Sequence, residues 1–437
     1  MIAHEAGDRA ASPAPDVHGK RMFGGKGTSG GKGPHRMTDQ HPPFARSPRR
    51  VPHQRSPTAE PIPVPTPRAG TLAAAFDPHR NNLNALRLIL AGAVLVSHSW
   101  LFVRGEPDPL TRLPGAPDLG TFAVDGFFLL SGFLIIRSHL RAPSTARFLW
   151  HRFLRVVPAF WVCLALTAVA IGPLLWRLNR GTTAGYPWTG HDSAVRYLLV
   201  NAALKMNQFN IGDLRAGQAV DGPLHTLFFE ALCYLMVGVF GTVGILRRRR
   251  GLVLTLAVGG WLLAVGGALL GANRLTDSHI LKYTAVFLIG AAMFLYADRI
   301  PRSRALLIAA AALLAAGLLI PHAYRPLALA PLAYLLLYAG TGRGLSRVGA
   351  RRDLSYGIYV YAWPLQLLLL EAGVDAGIGT GAVVVHIAAS LAVTSLAALA
   401  SWYAIEAPAL ALKSWQPPSP RRSTDAGAAH LFVPRSR

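Results

Sequence analysis

Leu119-Gly120-Thr121-Phe122-Ala123-Val124-Asp125-Gly126-Phe127-Phe128-Leu129-Leu130-Ser131-Gly132-Phe133-Leu134-Ile135-Ile136 is the stretch that decides the fold. Its one ionisable side chain is Asp125. Wound as a helix at a rise of about 1.5 Å per residue, it is about 27 Å long, close to the hydrocarbon core of a bilayer. Similar runs lie on both sides, at 83–103, 157–176, 223–246, 252–271, 280–296, 305–320, 327–340, 355–372 and 381–403. The runs at 305–320 and 327–340 are short, and Pro321 and Pro326 bracket a turn between them, which predicts a helical hairpin.

The composition agrees. The chain has 437 residues, 52% hydrophobic and 15% charged, with mean hydropathy +0.34. A soluble fold carries about a quarter charged residues, so the deficit is too large to lose at a water-facing surface. The fold class expected is an all-α integral membrane protein of about ten transmembrane helices. Two cysteines exclude a disulfide scaffold and a cysteine-based zinc module. Cys163 and Cys233 lie in apolar runs and read as small buried hydrophobes.

Net charge is +23 and pI about 11.0, values that invite a nucleic-acid reading. The placement of the arginines opposes it, because they cluster in short segments between the apolar runs. With the N-terminus inside, the inner loops 137–156, 247–251, 297–304 and 341–354 hold 16 arginines in 47 positions. The outer loops hold 9 Lys and Arg in about 82 positions, counted from the sequence. That asymmetry favours an N-in, C-in arrangement in the inner membrane. The long segment 177–222 is then external, with Tyr186, Trp188 and Tyr197 available for contacts.

Residues 1–75 are a different polymer, with 12 Pro, 9 Gly and 11 Lys and Arg against 5 Asp and Glu. They are expected to form a disordered basic tail without the apolar core of a signal peptide. Residues 76–413 form the membrane domain, and 414–437 read as a second disordered tail.

Polar groups inside an apolar span are expensive and select the candidate site. The first span holds Arg87 and His98. Eleven residues at 100° and 1.5 Å place them about 20° from the same helix face and about 16 Å apart along the axis. His98 is a candidate general base or proton relay, and flanking Ser97 and Ser99 are placed to hydrogen-bond its ring or nearby backbone. Asp125 and Glu230 are carboxylates a turn or two into their spans. Tyr234, four residues on, is placed to bond Glu230 along one face. Counted from the assumed membrane surfaces, His98, Asp125 and Glu230 fall near one level, which predicts a base with orienting acids. Ser131 and Gly132 suit close helix approach. Arg152 and Arg155, spaced i, i+3 at a cytoplasmic mouth, suit a phosphate-bearing substrate or plain positive-inside charge. Arg247 to Arg250 read as topogenic, and Glu406 as an ion pair with those inner arginines. No metal-ligand spacing, Gly-rich phosphate loop or serine nucleophile elbow occurs.

These blocks, taken in order, resemble the acyltransferase 3 family of membrane O-acyltransferases over about 80–410. Asn81-Asn82-Leu83-Asn84-Ala85-Leu86-Arg87 with His98 is similar to its opening signature, and Val124 to Ile135 to its second-span block. Arg152-Phe153-Leu154-Arg155 resembles its two-arginine motif, and Leu227-Phe228-Phe229-Glu230 with Tyr234 its glutamate block. Ser355-Tyr356-Gly357-Ile358-Tyr359 and Ile405-Glu406-Ala407-Pro408 resemble its two C-terminal blocks. Pro223-Leu224-His225 departs from the Ser-Leu-Trp of many members, and Ala362 stands where many carry histidine.

The resemblance implies no bound cofactor. It implies acyl-CoA, most often acetyl-CoA, as cytoplasmic co-substrate and a hydroxyl of a carbohydrate-containing acceptor on the outer side. His98, Arg87, Asp125 and Glu230 are then the catalytic candidates, and Arg152, Arg155 and Ser131 the acyl-CoA contacts. The competing class, a secondary transporter or flippase of a lipid-linked glycan, predicts an internal repeat, and none is visible.

Overall fold

The computed structural model describes residues 68–214, 219–270, 278–374 and 379–414. Among them the regular structure is helical, apart from one isolated bridge between Thr71 and Pro301. The principal helices are α1 (Leu72–Ala75), α2 (Leu83–Arg104), α3 (Leu119–Arg141) and α4 (Thr145–Arg180). They continue with α5 (Ala194–Asn201), α6 (His225–Thr242), α7 (Arg250–Leu270), α8 (His279–Leu295) and α9 (Arg304–Leu319). The last are α10 (Leu329–Gly340), α11 (Ser355–Glu371) and α12 (Thr380–Ser414).

Each of the ten apolar runs falls on one of these helices. Six of them, α2, α3, α4, α6, α7 and α12, are long and apolar enough to cross a membrane by length and composition. α8 and α9 are shorter apolar helices of 17 and 16 residues. α4 widens into one π turn at Thr167–Ile171, just before Pro173. Proline offers no N–H, so the regular ladder is interrupted there. The hairpin expected around Pro321 and Pro326 is present: a π turn at Tyr324–Ala328 leads into α10, and Trp261 of α7 donates to the Pro326 carbonyl at 2.6 Å.

α3 lies at the centre, with Leu129, Leu130, Phe133 and Ile136 almost wholly buried. It meets α8 backbone to backbone. A Cβ on Gly132 would collide with the Phe287 carbonyl, and one on Gly290 with the Leu129 carbonyl. Small residues at such a crossing let the helices approach where lipid supplies no hydrophobic drive.

Three expectations change. Residues 68–75 do not belong with the tail: Thr71 caps α1, Leu72 is fully buried, and its N–H donates to the Ile300 carbonyl at 3.0 Å. The apolar side chain of Leu72 is large enough to anchor this segment. Of the two expected tails, 1–67 and 415–437 lie outside the described residues, and Ser414 ends α12. Tyr186 and Tyr197 are core residues rather than external contacts, at 4% and 0% exposure. Tyr186 donates to the Ala168 carbonyl at the π turn at 2.7 Å, so the segment after α4 folds back onto the bundle, and Trp188 stays exposed. Glu406 pairs with Arg155 at 3.1 Å, not with Arg247 to Arg250.

Candidate active site

The asparagines before Arg87 explain how that arginine is held. Asn82 donates to the Ala339 carbonyl at 3.0 Å and accepts from the Leu345 N–H at 2.8 Å. Asn84 donates to the Gly349 carbonyl at 3.0 Å. The first turn of α2 thus fastens the 341–354 loop, and that loop delivers Asp353. One oxygen of Asp353 accepts from Arg87 and from Arg155, each at 2.6 Å. The other accepts from the Ser355 hydroxyl at 2.5 Å and its N–H at 3.3 Å. Burial pushes this carboxyl up, but the two guanidiniums and the Ser355 donors outweigh it and hold the pKa at about 2. Arg155 uses another nitrogen on buried Glu406, which also accepts from Ser401 at 3.4 Å.

Beside this network is a cavity of about 480 Å³ whose lining includes Arg87, Ser131, Thr226, Glu230, Ser355, Tyr356 and Tyr359. Glu230 accepts from Tyr234 at 2.5 Å and from Ser131 at 3.2 Å, the i, i+4 bond expected from the spacing. Arg152 lies within electrostatic reach of Glu230 and Tyr234, and its Nε is buried without a hydrogen-bond partner among the described residues. The cavity therefore joins a carboxylate, hydroxyls and the Arg87 guanidinium with apolar walls from Val124, Phe127 and Phe128.

His98 sits further along α2, the helix that carries Arg87. Its ring meets Trp363 edge to face at 4.7 Å, and its Nδ1 is buried with no hydrogen-bond partner among the described residues. Ser97 and Ser99 do not bond it. Ser97 donates to Asp108 at 2.6 Å, and Ser99 accepts from Gln366 at 2.7 Å. These two bonds fix the helix backbone on both sides of the histidine. Trp363 is fixed in turn: its indole N–H donates to the Ala219 carbonyl at 2.9 Å, and Gly222 leaves only van der Waals room against the ring. Asp221 anchors that loop to α4, accepting from Cys163 at 3.4 Å and Thr167 at 3.5 Å. Burial raises the Asp221 carboxyl well above the usual carboxylate range.

The predicted layer of His98, Asp125 and Glu230 is not formed. Glu230 shares its cavity with Arg87 and Ser131. Asp125 faces a different cavity with Lys282 and Arg325, and accepts from Tyr324 at 3.1 Å. The carboxylate in electrostatic reach of His98 is Asp118, the N-cap of α3. The rotation of each helix about its axis turns Asp125 and Glu230 into different cavities. Asp353 and Trp363 are not among the candidates from sequence, and Ser355 and Tyr359 stand there only in a block that resembles the family's. A usable signal existed for Asp353, the one acid after Arg351 and Arg352 in a basic loop and directly before the Ser355 block.

A family model described as an acyltransferase domain matches residues 80–404. An "O-acetyl transferase" of Shigella phage Sf6 is 28% identical over 305 residues, covering 67% of this chain and 87% of that protein. "Nodulation protein 10" of Rhizobium leguminosarum bv. viciae is 28% identical over 376 residues, 77% of this chain and 95% of its own length. No solved structure matches the chain. The protein belongs to the acyltransferase 3 family and is a multi-pass membrane acyltransferase.

Proposed function

We propose that this member of the acyltransferase 3 family moves an acetyl group from acetyl-CoA at the cytoplasmic face of the inner membrane to a hydroxyl of a carbohydrate-containing acceptor at the outer face. The observation that carries the reading is the cavity beside Arg87, with His98 eleven residues along the same unbroken helix. Arg155, in the ion network beside the cavity, and Arg152, in reach of its Glu230, suit the phosphates of CoA, because guanidinium groups bind phosphate through paired N–H donors. Arg155 already has two carboxylate partners, so the buried, unpartnered Nε of Arg152 makes Arg152 the stronger anion contact.

The distance between the two functions suits the donor. About 16 Å separates Arg87 from His98 along α2, a span that an extended pantetheine arm covers. The thioester is then carried past Tyr359 toward Trp363 and His98. The His98 imidazole accepts the proton of the acceptor hydroxyl as its oxygen attacks the thioester carbonyl. The ester C–O bond forms, the C–S bond breaks, and the CoA sulfur leaves with the proton that the imidazolium returns. Ser131, bonded to Glu230 along the cavity wall, is the proposed contact for the arm. In the N-in, C-in orientation that the arginine distribution favours, the arginine network lies at the cytoplasmic side, which supports a cytoplasmic donor.

The test is acyl transfer from radiolabelled acetyl-CoA in membrane vesicles. Wild type is compared with His98→Ala, each scored for inserted protein. Labelled glycan from wild type and none from an inserted variant supports the reading. Equal labelling removes His98 from the chemistry. No consumption of acetyl-CoA by wild type above background refutes the donor.

A further inference from the structure

Asp125 has no part in the cavity beside Arg87, and what surrounds it instead is a second site. Its side chain is 1% exposed, its Oδ2 accepts from Tyr324, and its Oδ1 is buried without a hydrogen-bond partner among the described residues. It lines a cavity of about 670 Å³ between α3, α7, α8 and the turn into α10. Lys282 and Arg325 line the same cavity, and its remaining walls are apolar. A buried carboxylate oxygen and two cationic side chains gathered at one end of an apolar chamber form a polar head site with a greasy approach.

The chamber continues sideways. Trp261 and Ile289 also line an apolar groove of about 870 Å³ on one side of α7. Gly260, Leu263, Leu281 and Ala285 also line one of about 1210 Å³ on the other. The flanks of α7 expose Leu254, Val258, Leu262 and Leu263, all at least 40% accessible. In an apolar spanning helix these residues face hydrocarbon. The route to Asp125 along these grooves therefore runs from the lipid phase, and a ligand that uses it needs an apolar chain.

We infer that this cavity binds the phosphate head of a membrane lipid, its chain lying in the grooves beside α7, with Lys282 and Arg325 facing the phosphate and Asp125 Oδ1 accepting from a head-group hydroxyl. Cations at the polar end match the phosphate charge, and Trp261 at the mouth, held by Pro326, has the amphipathic ring suited to a head-group boundary. The site is separated from the Arg87 cavity by the body of α3. Val124, Phe127 and Ser131 face that cavity, and Asp125 faces this one.

Native mass spectrometry of the purified full-length chain in detergent tests this without any acyl donor, so it stands apart from the transfer reaction. The probe is dioleoyl phosphatidic acid, with dioleoylglycerol as the phosphate-free control and inorganic phosphate as competitor. The expected result is retention of phosphatidic acid about tenfold above the glyceride, about 1.4 kcal/mol, with no displacement by excess inorganic phosphate. Lys282→Ala with Arg325→Ala is expected to lower retention to the glyceride level. Equal retention of the two lipids by wild type overturns the inference, as does displacement by inorganic phosphate, which marks a soluble anion site. To keep the test independent of how the double variant folds, a phosphatidic acid carrying a chain diazirine is also crosslinked to wild type. Labelling on α7 and α8 is expected, and labelling confined to other helices overturns the proposal.

Discussion

Asp353→Asn replaces the one carboxylate shared by Arg87 and Arg155 with an amide of the same shape. The acid is held at about 2 against an ordinary 3.8. The sign follows from the depressed folded-state value: the stabilisation is fully present above 3.8 and is lost as pH falls from there toward 2. Its size at neutral pH is about 2 kcal/mol, and about half of that remains at pH 3. Loss of the charge also leaves Arg87 without its carboxylate partner, and breaking a buried pair typically costs about 3–5 kcal/mol. Arg155 keeps Glu406, so Arg87 is the residue set loose. The assay is thermal unfolding in detergent from pH 7 to pH 2.5, wild type against the variant, with acyl-CoA kinetics at neutral pH. The variant is expected to melt several degrees lower at pH 7, and the gap should narrow as pH falls below 4. The KM for acyl-CoA should rise more than kcat falls. A gap that stays constant down to pH 2.5 would refute the assignment of that stabilisation to the ionised Asp353 carboxylate.

Other consequences follow from single contacts. Asp221→Asn should raise melting at pH 7 relative to pH 4, because a carboxyl held above its ordinary value favours the folded state at low pH and loses that advantage as pH rises. Ser97→Ala leaves Asp108 without one of its donors and should cost about 1–3 kcal/mol, read by denaturation, with activity reduced through a loosened His98. Trp363→Phe keeps an edge-to-face partner for His98 but loses the bond to Ala219. It should retain more kcat than Trp363→Ala, with similar amounts of inserted protein. Gly132→Ala drives a methyl into the Phe287 carbonyl and should cost at least about 1–3 kcal/mol, seen as a lower yield of folded protein.

Helices were legible where one property along the chain determines them. Apolar runs separated by arginine clusters specify helices and turns locally, so all ten runs coincide with helices. Spacing within one helix was equally legible: Tyr234 reaches Glu230 because residues four apart share a face. Contacts between helices were not. Asp125 and Glu230 each lie a turn or two into an apolar run, but which cavity each faces depends on the rotation of α3 and α6 about their axes, and hydropathy alone carries no record of that. Asp353 was hidden for a related reason. It lies 266 residues beyond Arg87, in a loop whose charge reads as topogenic until Asn82 and Asn84 are seen to tie it down.

The same contacts explain why the opening block and the late blocks belong to one device. Asn82 caps α2 and Asn84 and Arg87 lie in it, Arg155 enters from α4, Asp353 from the loop before α11, Ser355 from the first position of α11, and Glu406 from α12. Four separate helices thus converge on one ion network. Arg87 is the charged member that also lines the cavity, so the network's ions hold its guanidinium there rather than letting it reach outward to water. An arginine pinned in this way presents its remaining N–H groups without first paying to be ordered, and binding donors on fixed elements is worth more to a ligand than binding them on mobile ones. Charge-preserving replacement of Arg87 by lysine keeps the cation but offers no fork to bridge Asp353 and the cavity. Arg87→Lys should therefore fold with wild-type yield and still lose about tenfold in acyl-CoA affinity, whereas Arg141→Lys, on the exposed last turn of α3, should change neither. Equal affinity for acyl-CoA in Arg87→Lys and wild type would show that the network holds the helices together and takes no part in binding the donor.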